Sequence, residues 1–553
     1  MRPFTLLAAL TLIACVPRST PLAPQRYDVV ITNARIYDGA GNPWYYGDVA
    51  VSGDRIVRIA PRGALASAQA PRKIDATGLA LAPGFIDVQG QSYEQLLFGD
   101  GRLVSKVSQG VTTEILGEGT TPAPHTPIVY SEMGWSDTTA ARAISGRFAG
   151  EHGFGNWLDA MAAHGISVNV GSFLGAATVR MYAKGESQGA ANAAELDSMR
   201  AVTRRAMEDG AFGVGSALIY PPGAFMSTEE LIETAKAMAP YGGLYITHMR
   251  SEGDRLLEAT AEALRIGREG GVPVEIFHLK VAGQRNWAKA RPLVTMIDSA
   301  RRAGQDVGAT MYPYTAGATS LASCTPPWAS ADGKLLANLA DAPVRKRIHD
   351  EMIAGRSDNS ESLCELGTPN GVMVVGFRDS TLKRFEGMRL DEIARAMSLD
   401  WADALIELTL RERARLGALF FLASDENLRM QLRQPWIIIG TDADGIDPDS
   451  ARSMTHPRGY GTYPQLIGQL SRDEGVMSME EAIRKSTSAV AERLRIPNRG
   501  LIQEGMMADL VLFDPVAIAD RATYVRPHAI AAGVRNVFVN GVETWRDGRH
   551  TGA

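Results

Sequence analysis

The chain has 553 residues, and its shares of apolar (45%) and charged (22%) residues are ordinary for a globular protein. The net charge of −5 offers no electrostatic argument for nucleic-acid binding or for a polybasic membrane patch. The sequence contains no zinc-finger, Walker or dinucleotide motif and no internal repeat. The length allows about three or four domains, although one α/β barrel with insertions can absorb most of it.

The first residues are typical of an exported protein. An apolar run, 4–14, is too short to span a bilayer but has the length of a secretory signal segment. It ends in Leu12-Ile13-Ala14-Cys15, which resembles a bacterial lipobox, where the cysteine is lipidated. A plain signal peptide with an incidental cysteine is the alternative. We expect residues 1–25 to be a lipoprotein signal peptide and tether, and Val16 after Cys15 favours the outer membrane of the cell envelope, facing the periplasm.

Both ends of the remaining chain predict β structure. Residues 27–59 alternate like strands and contain turn residues such as Gly53-Asp54. The last part of the chain has the same character and includes Asn540-Gly541, a hairpin turn signal. We expect the two segments, within residues 26–82 and 496–553, to pair into one small β-sandwich.

The long middle of the chain alternates strand-like apolar runs with helical patterns such as Thr228 to Met238. This alternation predicts an α/β fold, a (β/α)8 barrel of the TIM type over residues 83–495. Residues 320–434 are too many for one crossover, so we interpret them as a subdomain inserted over the barrel mouth. Cys324 and Cys364 lie in this segment, where an oxidising compartment permits a bridge that the sequence alone does not establish.

The stretch 245–280 contains the clearest chemical signal. Two short apolar runs end on or near His248 and His278, and a helical pattern from Asp254 to Gly270 separates them. A strand–helix–strand unit gives two parallel strands whose carboxyl ends lie on the same side. The sequence therefore predicts that the two imidazoles lie side by side at the barrel mouth, in a metal-ligand geometry. The alternative is a pair of hydrogen-bonded histidines that cap buried strands.

Further motifs follow one another along the chain. They are Pro83-Gly84-Phe85-Ile86-Asp87, Gly110-Val111-Thr112-Thr113, Thr247-His248-Met249-Arg250-Ser251-Glu252, His278-Leu279-Lys280, Met311-Tyr312-Pro313-Tyr314-Thr315-Ala316-Gly317, His456-Pro457-Arg458-Gly459-Tyr460-Gly461-Thr462 and the tail around residues 505–515. Together they resemble the N-acyl-D-amino-acid deacylase (D-aminoacylase) branch of the amidohydrolase superfamily, over nearly the whole chain after Arg26. The resemblance implies a metal-dependent hydrolase of carbon–nitrogen bonds other than peptide bonds.

The chain departs from that family at two metal-ligand positions. The first barrel strand of the family ends in His-x-His, whereas Gln89 and Gln91 stand here. An amide carbonyl is a weak donor to zinc, in contrast to imidazole. Where the family has a metal-binding cysteine, this chain has Glu118, for which a solvated turn carboxylate or a helix cap is the alternative.

The two departures are consistent with one site. Glu118, His248 and His278 form a His₂Glu set with an open position, a known catalytic zinc arrangement. We expect one zinc ion per chain, an absent or weak second metal, and Gln89 and Gln91 facing substrate or water in the vacated space. A retired enzyme would show the same losses, so a catalytically inactive binding lipoprotein is the principal alternative.

Asp442 follows the apolar strand 436–439 and matches the family's aspartate at the end of the last barrel strand. A carboxylate there takes a proton from the metal-activated water and returns it to the leaving nitrogen. Asp444 is a nearby alternative, and Asp442 itself has the alternative role of a turn cap. The substrate-binding candidates, for each of which a surface or packing role is the alternative, are Lys280, Arg250, Tyr312, Tyr314, Arg458, Gln89 and Gln91.

The sequence thus predicts a zinc-dependent hydrolase of a linear amide, most simply an N-acyl-D-amino acid. A hydantoinase-like opening of cyclic amides is a further alternative, but it normally needs a metal-bridging carboxylated lysine, and Lys280 is not evidently placed for that. The expected partner is a small-molecule amide. We expect no nucleic acid and no membrane contact beyond the lipid anchor, with a homo-oligomer and the D or L preference left open.

Overall fold

The computed structural model describes residues 26–135, 139–356 and 360–553. The predicted signal peptide and tether, with the lipidation candidate Cys15, lie outside the described residues. None of the described helices has both the length and the apolar character needed to cross a bilayer.

The strands and helices alternate through the middle of the chain. The strands are β1 (Val29–Ile36), β2 (Tyr45–Ser52), β3 (Arg55–Pro61), β4 (Arg72–Asp75), β5 (Ala80–Pro83), β6 (Phe85–Asp87), β7 (Val111–Leu116), β8 (Asn169–Ser172), β9 (Leu174–Gly175), β10 (Gly213–Ala217), β11 (Leu244–His248), β12 (Val274–Ile276), β13 (Val307–Met311), β14 (Ala316–Ser320), β15 (Val372–Val375), β16 (Gly417–Phe421), β17 (Ile437–Ile439), β18 (Leu510–Phe513), β19 (Val534–Val539), β20 (Val542–Arg546) and β21 (Arg549–His550). The α-helices are α1 (Tyr93–Leu97), α2 (Val104–Val107), α3 (Pro127–Glu132), α4 (Thr139–Ile144), α5 (Gly153–His164), α6 (Ala176–Ala183), α7 (Ala193–Glu208), α8 (Thr228–Met238), α9 (Leu256–Gly270), α10 (Ala290–Arg302), α11 (Leu335–Ala340), α12 (Ala342–Ala354), α13 (Leu363–Gly367), α14 (Leu390–Met397), α15 (Trp401–Arg411), α16 (Asp425–Leu432), α17 (Arg458–Pro464), α18 (Met479–Ser486) and α19 (Ser488–Arg493).

Parallel strands close into a barrel. One sheet has the order β6-β7-β8 and another the order β9-β10-β11-β12-β13-β17, and β8 and β9 are one strand interrupted at Phe173, which gives eight barrel positions. At the remaining seam the Asp442 amide donates to the Gln89 carbonyl at 2.7 Å, and the Gln91 amide donates to the Ala443 carbonyl at 3.1 Å. The predicted α/β barrel is confirmed, and its closure brings Gln89 and Gln91 beside Asp442.

The strand–helix–strand unit of the two histidines has the predicted form. β11 and β12 pair in parallel, with Thr247 opposite Ile276. Helix α9 packs its apolar residues on the sheet and ends at Gly271, whose φ of +71° is the left-handed conformation that glycine adopts without strain. Because both strands run towards the same end of the barrel, His248 and His278 meet there.

Strands from both chain ends form one connected sheet of nine strands in the order β21-β20-β19-β18-β5-β1-β2-β3, with β4 beside β1. The two ends join where β5 pairs antiparallel with β18, with Leu81 opposite Leu512. Ile31 and Val30 belong to different apolar clusters because successive side chains of a strand point to opposite faces. This unit is the β structure that the sequence predicts from its two ends.

The long segment between β13 and β17 folds around an apolar cluster of its own, which includes Leu339, Ile348, Leu405 and Phe420. Its three strands form an antiparallel sheet in the order β14-β16-β15. A disulfide joins Cys324 to Cys364, with 5.4 Å between the two Cα atoms. Below we call residues 316–422 the insertion.

Candidate active site

The carboxyl ends of the barrel strands open into a cavity of about 590 Å³, which the insertion covers. Polar side chains line its barrel side, namely Gln91, Glu118, Tyr220, His248, Glu252, His278, Lys280, Tyr312, Asp442, Asp444, His456 and Arg458. Apolar side chains of the insertion, among them Val375 and Leu419, line the opposite side. The cavity is therefore amphipathic, with its chemistry on the barrel.

Glu118 lies between the two predicted imidazole ligands. Its Oε1 is 3.3 Å from His248 Nδ1 and 3.0 Å from His278 Nε2. One ligand atom from each residue lies within 4.8 Å of the other two. The turn that carries Glu118 needs glycine at Gly117, because φ there is +111° and a Cβ would meet the carbonyl oxygen of Phe173 at 2.3 Å. The structure thus brings together the predicted His₂Glu set.

Backbone strain marks two of the functional residues. His278 has a φ of +33° and Asp442 a φ of +51°, in the left-handed region that side chains with a Cβ rarely adopt. Such conformations cost about 1–3 kcal/mol each and persist only where the surrounding structure enforces them. At His278 the enforcement is visible, because its amide donates to Thr310 Oγ1 at 2.7 Å.

Glu252 and Lys280 occupy the other side of His278. Glu252 Oε1 is 3.1 Å from His278 Nδ1 and accepts a hydrogen bond from Lys280 Nζ at 2.6 Å. Lys280 Nζ also lies 2.8 Å from His278 Nδ1. A carboxylate on the far nitrogen of a ligand imidazole sets the ring orientation and raises its basicity. Sequence reasoning missed this role of Glu252, although the residue stands four positions after His248.

The two glutamines that replace the family's histidines both hold Glu118. The amide nitrogens of Gln89 and Gln91 lie 2.6 Å and 2.9 Å from Glu118 Oε2. Gln89 Oε1 accepts from Thr310 Oγ1 at 3.0 Å, which orients the amide with its nitrogen towards Glu118. Glu118 therefore presents Oε1 to the imidazoles, while its Oε2 is held by neutral donors.

The electrostatics of the set follow from burial and mutual contact. Burial raises the pKa of Glu118, but the His278 charge and the hydrogen bonds from both imidazoles hold it well below its usual range. Burial and Lys280 lower the pKa of His278, yet Glu118 and Glu252 outweigh them and raise it to about 9. The pKa of His248 is lowered, chiefly by burial. In the metal-free protein one proton is thus shared near Glu118 and His278, and a cation bound there releases it.

Asp442 faces the set across the cavity. Its Oδ2 lies 2.8 Å from Arg458 Nη1, and its Oδ1 accepts from Gln91 Nε2 at 3.3 Å. Burial raises the pKa of Asp442 to about 6, against the opposing charge of Arg458. A carboxyl that titrates near neutral pH suits proton transfer. Asp444 also lines the cavity, where burial raises its pKa to about 7.

Two phenols lie next to these groups. The Tyr312 hydroxyl is buried and has no hydrogen-bond partner among the described residues, and the Arg458 guanidinium stacks on its ring at 4.6 Å. Tyr220 lines the cavity and packs against His248 with 5.2 Å between ring centroids. Burial raises the pKa of both phenols, so both stay protonated and able to donate.

Three of the substrate-binding candidates do not reach the cavity, and these predictions are corrected. Arg250 pairs with Glu262 at 2.9 Å, because its side chain turns towards α9 rather than into the barrel mouth. Tyr314 donates to Asp520 at 2.7 Å, on the side away from the metal-ligand set. Gln89 is only 2% exposed, and both ends of its amide are already hydrogen-bonded.

The donor set fits a divalent metal ion. A carboxylate oxygen and two imidazole nitrogens converge, and these are ligand types that zinc prefers. His248 Nε2 has no hydrogen-bond partner within the described part of the chain, although it is buried. The three carboxylates of Glu118, Glu252 and Asp442 face two permanently charged side chains of the cavity lining, Lys280 and Arg458. A bound cation supplies the missing positive charge.

A metal-ligand set of this kind at the carboxyl ends of a closed (β/α)8 barrel defines the class of metal-dependent barrel hydrolases. A sequence model of the amidohydrolase family matches residues 72–551. D-aminoacylase from Alcaligenes xylosoxydans xylosoxydans is 33% identical to this chain over 529 residues, which cover 96% of each protein. The chain belongs to the amidohydrolase family, in its D-aminoacylase branch, and is a hydrolase of carbon–nitrogen bonds other than peptide bonds.

Solved structures agree over the whole fold. A D-aminoacylase described as having a binuclear metal centre, with one-metal activation and second-metal attenuation, has a TM-score of 0.77 at 30% identity and covers 95% of this chain and 98% of its own. The N-acyl-D-glutamate deacylase of Bordetella bronchiseptica, complexed with zinc and a phosphonate inhibitor, has a TM-score of 0.76 at 29% identity and covers 95% of this chain and 99% of its own.

Proposed function

We propose that the protein removes the acyl group from an N-acyl-D-amino acid, using one zinc ion held by Glu118, His248 and His278. The observation that carries the proposal is the convergence of these three ligands opposite Asp442 in a covered cavity. The similarity to D-aminoacylases and an N-acyl-D-glutamate deacylase over nearly the whole chain supports this substrate class.

The zinc ion, when bound, lowers the pKa of water towards about 7 and polarises the scissile carbonyl. Asp442 is the general base that takes a proton as the water oxygen bonds to the carbonyl carbon. It then gives that proton to the amide nitrogen as the carbon–nitrogen bond breaks, which releases a carboxylate and an amine. Arg458 supports both steps because its charge keeps the Asp442 carboxyl ionised at neutral pH.

The substrate carboxylate needs cations and donors on the barrel side. Arg458 and Lys280 are the permanently charged cations that line the cavity in the described chain, and the free hydroxyl of Tyr312 lies under the Arg458 guanidinium. Lys280 is bonded to Glu252 at 2.6 Å, and Arg458 pairs with Asp442 through Nη1, but Arg458 Nε and the Tyr312 hydroxyl have no hydrogen-bond partner among the described residues. We therefore assign the carboxylate chiefly to Arg458 and Tyr312.

A linear rather than cyclic amide is favoured by the position of Lys280. A carboxylated lysine that bridges two metals has to lie among the metal ligands. Lys280 Nζ contacts the Nδ1 of His278, whereas Glu118 contacts the Nε2 on the other edge of that ring. Lys280, the lysine of the cavity lining, therefore contacts the edge of the His278 ring that points away from Glu118.

One metal rather than two follows from the glutamine pair. Gln89 and Gln91 donate to Glu118 Oε2, the oxygen that would be needed to bridge to a second ion. We infer that two amides replace the second cation of the binuclear relatives. The unmodified protein should bind one zinc ion per chain, measured by elemental analysis after metal loading. The Gln89→His/Gln91→His variant should bind two, and an unchanged count of one would remove this explanation.

A substrate panel tests the reaction itself. Zinc-loaded protein should release acetate from N-acetyl-D-amino acids at least about 100-fold faster, in kcat/KM, than from the L isomers, and it should not open hydantoins. A preference for cyclic amides would favour the hydantoinase alternative. If the protein binds one zinc ion but hydrolyses no amide of the panel, the result would favour the alternative of a catalytically inactive binding protein.

We also propose that the protein is a lipoprotein of the cell envelope, anchored through Cys15. The Cys324–Cys364 disulfide supports an oxidising compartment such as the periplasm. The unmodified protein should fractionate with membranes, whereas the Cys15→Ser variant should not. Equal partition of the two would contradict the anchor.

A further inference from the structure

A partly buried carboxylate of the insertion, Glu361, contacts the loop that carries Glu252. Its two oxygens accept hydrogen bonds from Ser251 Oγ at 2.5 Å, from the Glu252 amide at 2.9 and 3.0 Å, and from the Gly253 amide at 2.9 Å. These donors form the loop between His248 and α9. Glu361 lies two residues before the start of α13 and belongs to the insertion rather than the barrel.

The insertion packs closely against the loop around the Glu361 contact. Leu366, on α13, packs against Gly253, where an added Cβ would meet Leu366 Cδ2 at 2.7 Å, so a larger residue there would require the Leu366 side chain to move. The carbonyl of Glu252 also accepts from the Ala282 amide at 2.7 Å. Both backbone polar groups of Glu252 are thus held, the amide by the insertion and the carbonyl by the loop after β12.

The hydrogen bonds to the backbone of Glu252 fix the position of its side chain. Its carboxylate lies 3.1 Å from His278 Nδ1, receives Lys280 Nζ at 2.6 Å and is 3.8 Å from His248 Nε2. Two carboxylates thus act in sequence. The Glu361 carboxylate binds the backbone amide of Glu252, and the Glu252 carboxylate contacts the imidazole of His278. A shift of the Glu252 backbone would therefore displace the carboxylate that contacts His278 Nδ1.

We propose that Glu361 is a positioning residue for the metal site, through which docking of the insertion on the barrel sets the orientation of His278. The inference rests on the metal site of the proposed function and adds a role for the insertion beyond covering the cavity. Partners one step outside the ligands typically alter metal affinity by about 10- to 100-fold. Glu361 acts one step further out, so the lower end of that range is expected.

The test is the Glu361→Gln variant of the full chain. The remaining oxygen can keep the donors of Oε2, but the NH₂ group that replaces Oε1 cannot accept from the Glu252 amide and faces that N–H as a second donor. We expect zinc affinity, measured by competition with a chromophoric chelator, to weaken about 10-fold. We also expect the visible absorption of the cobalt(II)-substituted site to shift, because ring orientation changes the ligand field. Thermal unfolding of the metal-free variant reports whether the fold is retained.

The matched control is Glu365→Gln, on helix α13 of the insertion, which begins two residues after Glu361. Glu365 makes an exposed ion pair with Arg285 at 3.0 Å and no contact with the Ser251–Gly253 loop. Its zinc affinity and cobalt spectrum should equal those of the unmodified chain. If Glu361→Gln also equals the unmodified chain in both, the inference is overturned.

A second variant keeps the test decisive if Glu361→Gln does not fold. Ser251→Ala removes the hydroxyl that donates to Glu361 and also accepts from the Gly253 and Arg255 amides, and it should weaken zinc binding in the same direction. An unchanged affinity there would also count against the proposal. An unmodified chain that binds no zinc or cobalt would refute the metal site itself, which is a different result from equal affinities.

Discussion

Two buried carboxylate clusters of the barrel differ in how they are completed. Inside the barrel, Lys106 Nζ lies 2.6 Å from Asp87 Oδ2, 3.1 Å from Glu114 Oε1 and 2.7 Å from Thr441 Oγ1, and all three charged side chains are 0% exposed. At the mouth, Glu118 lies between His248 and His278 in a cavity. A lysine contacts both carboxylates of the first cluster, whereas Glu118 in the second contacts imidazoles and amides.

The difference shows what separates a structural charge cluster from a functional one. In the inner cluster the lysine charge is enclosed with its partners, so its pKa is raised by Asp87 and Glu114 against the effect of burial. In the outer cluster a buried imidazole nitrogen of His248 and the hydroxyl of Tyr312 have no hydrogen bonds among the described residues and both residues line the cavity, whereas Glu114, whose Oε2 is also unpaired, is not in that lining. Unpaired buried polar atoms are costly, so they are expected where a ligand completes the site.

The largest expected effect is a loss of activity without a loss of zinc on substitution of Asp442 at the barrel mouth. The Asp442→Asn variant loses the general base, and kcat/KM for an N-acetyl-D-amino acid should fall by about 10²- to 10⁴-fold. One zinc ion per chain should remain, because Asp442 is not in the ligand set. Steady-state kinetics with metal analysis on the same sample measures both, and retention of full activity would remove Asp442 from the mechanism.

The inner cluster should respond in stability instead. The Lys106→Met variant leaves Asp87 and Glu114 buried without a cation, which costs about 3–5 kcal/mol. The urea midpoint should fall accordingly, while Lys346→Met, which breaks an exposed ion pair with Asp350, should stay within about 1 kcal/mol of the parent. Equal midpoints for the two variants would show that the clusters do not differ as described.

Removal of the Glu118 carboxylate should lower zinc affinity and leave the stability of the metal-free protein almost unchanged. The Glu118→Gln variant should weaken zinc binding by more than about 100-fold, since a direct ligand matters more than its outer partners. The unfolding midpoint of the metal-free protein should change little, because Gln89, Gln91 and the imidazoles keep hydrogen-bond partners at that position. Chelator competition and thermal unfolding provide the two readings, and undiminished zinc affinity would exclude Glu118 as a ligand.

The smallest expected effect is a pH dependence. Burial raises the pKa of Asp442 to about 6, so the base is protonated below that pH and kcat/KM should fall about tenfold per unit. The shift is upward, so the stability it contributes is present below the ordinary carboxyl pKa and is lost as pH rises through about 6. The Arg458→Met variant should move the acid limb to higher pH, because the guanidinium holds the Asp442 pKa down. A limb that stays in place in this variant would assign it to another group.

The barrel and the core of the site could be predicted from the sequence because their signals are local. Apolar runs with helical spacing between them predict parallel strands, and parallel strands place residues at their carboxyl ends together, which is why His248, His278 and Asp442 were found. Glu118 is predicted as a ligand because it stands where the resembled family has its metal-binding cysteine.

The failures share a different cause. Arg250 stands two residues after His248, yet its side chain pairs with Glu262 on a helix. Tyr314 stands two residues after Tyr312, yet it bonds to Asp520, more than two hundred positions away. Side-chain direction in a loop depends on partners that are remote in sequence, so spacing gives no guide to it.

By itself the sequence determined the α/β barrel, the strand–helix–strand pairing of two imidazoles and the replacement of two family histidines by glutamines. Only the tertiary structure decided that those glutamines hold Glu118, that Glu252 and Lys280 orient His278, and that Glu361 of the insertion grips the Glu252 backbone. Periodicity is set by the backbone, residue by residue. Hydrogen bonds between distant segments exist only once the barrel has closed and the insertion has docked on it.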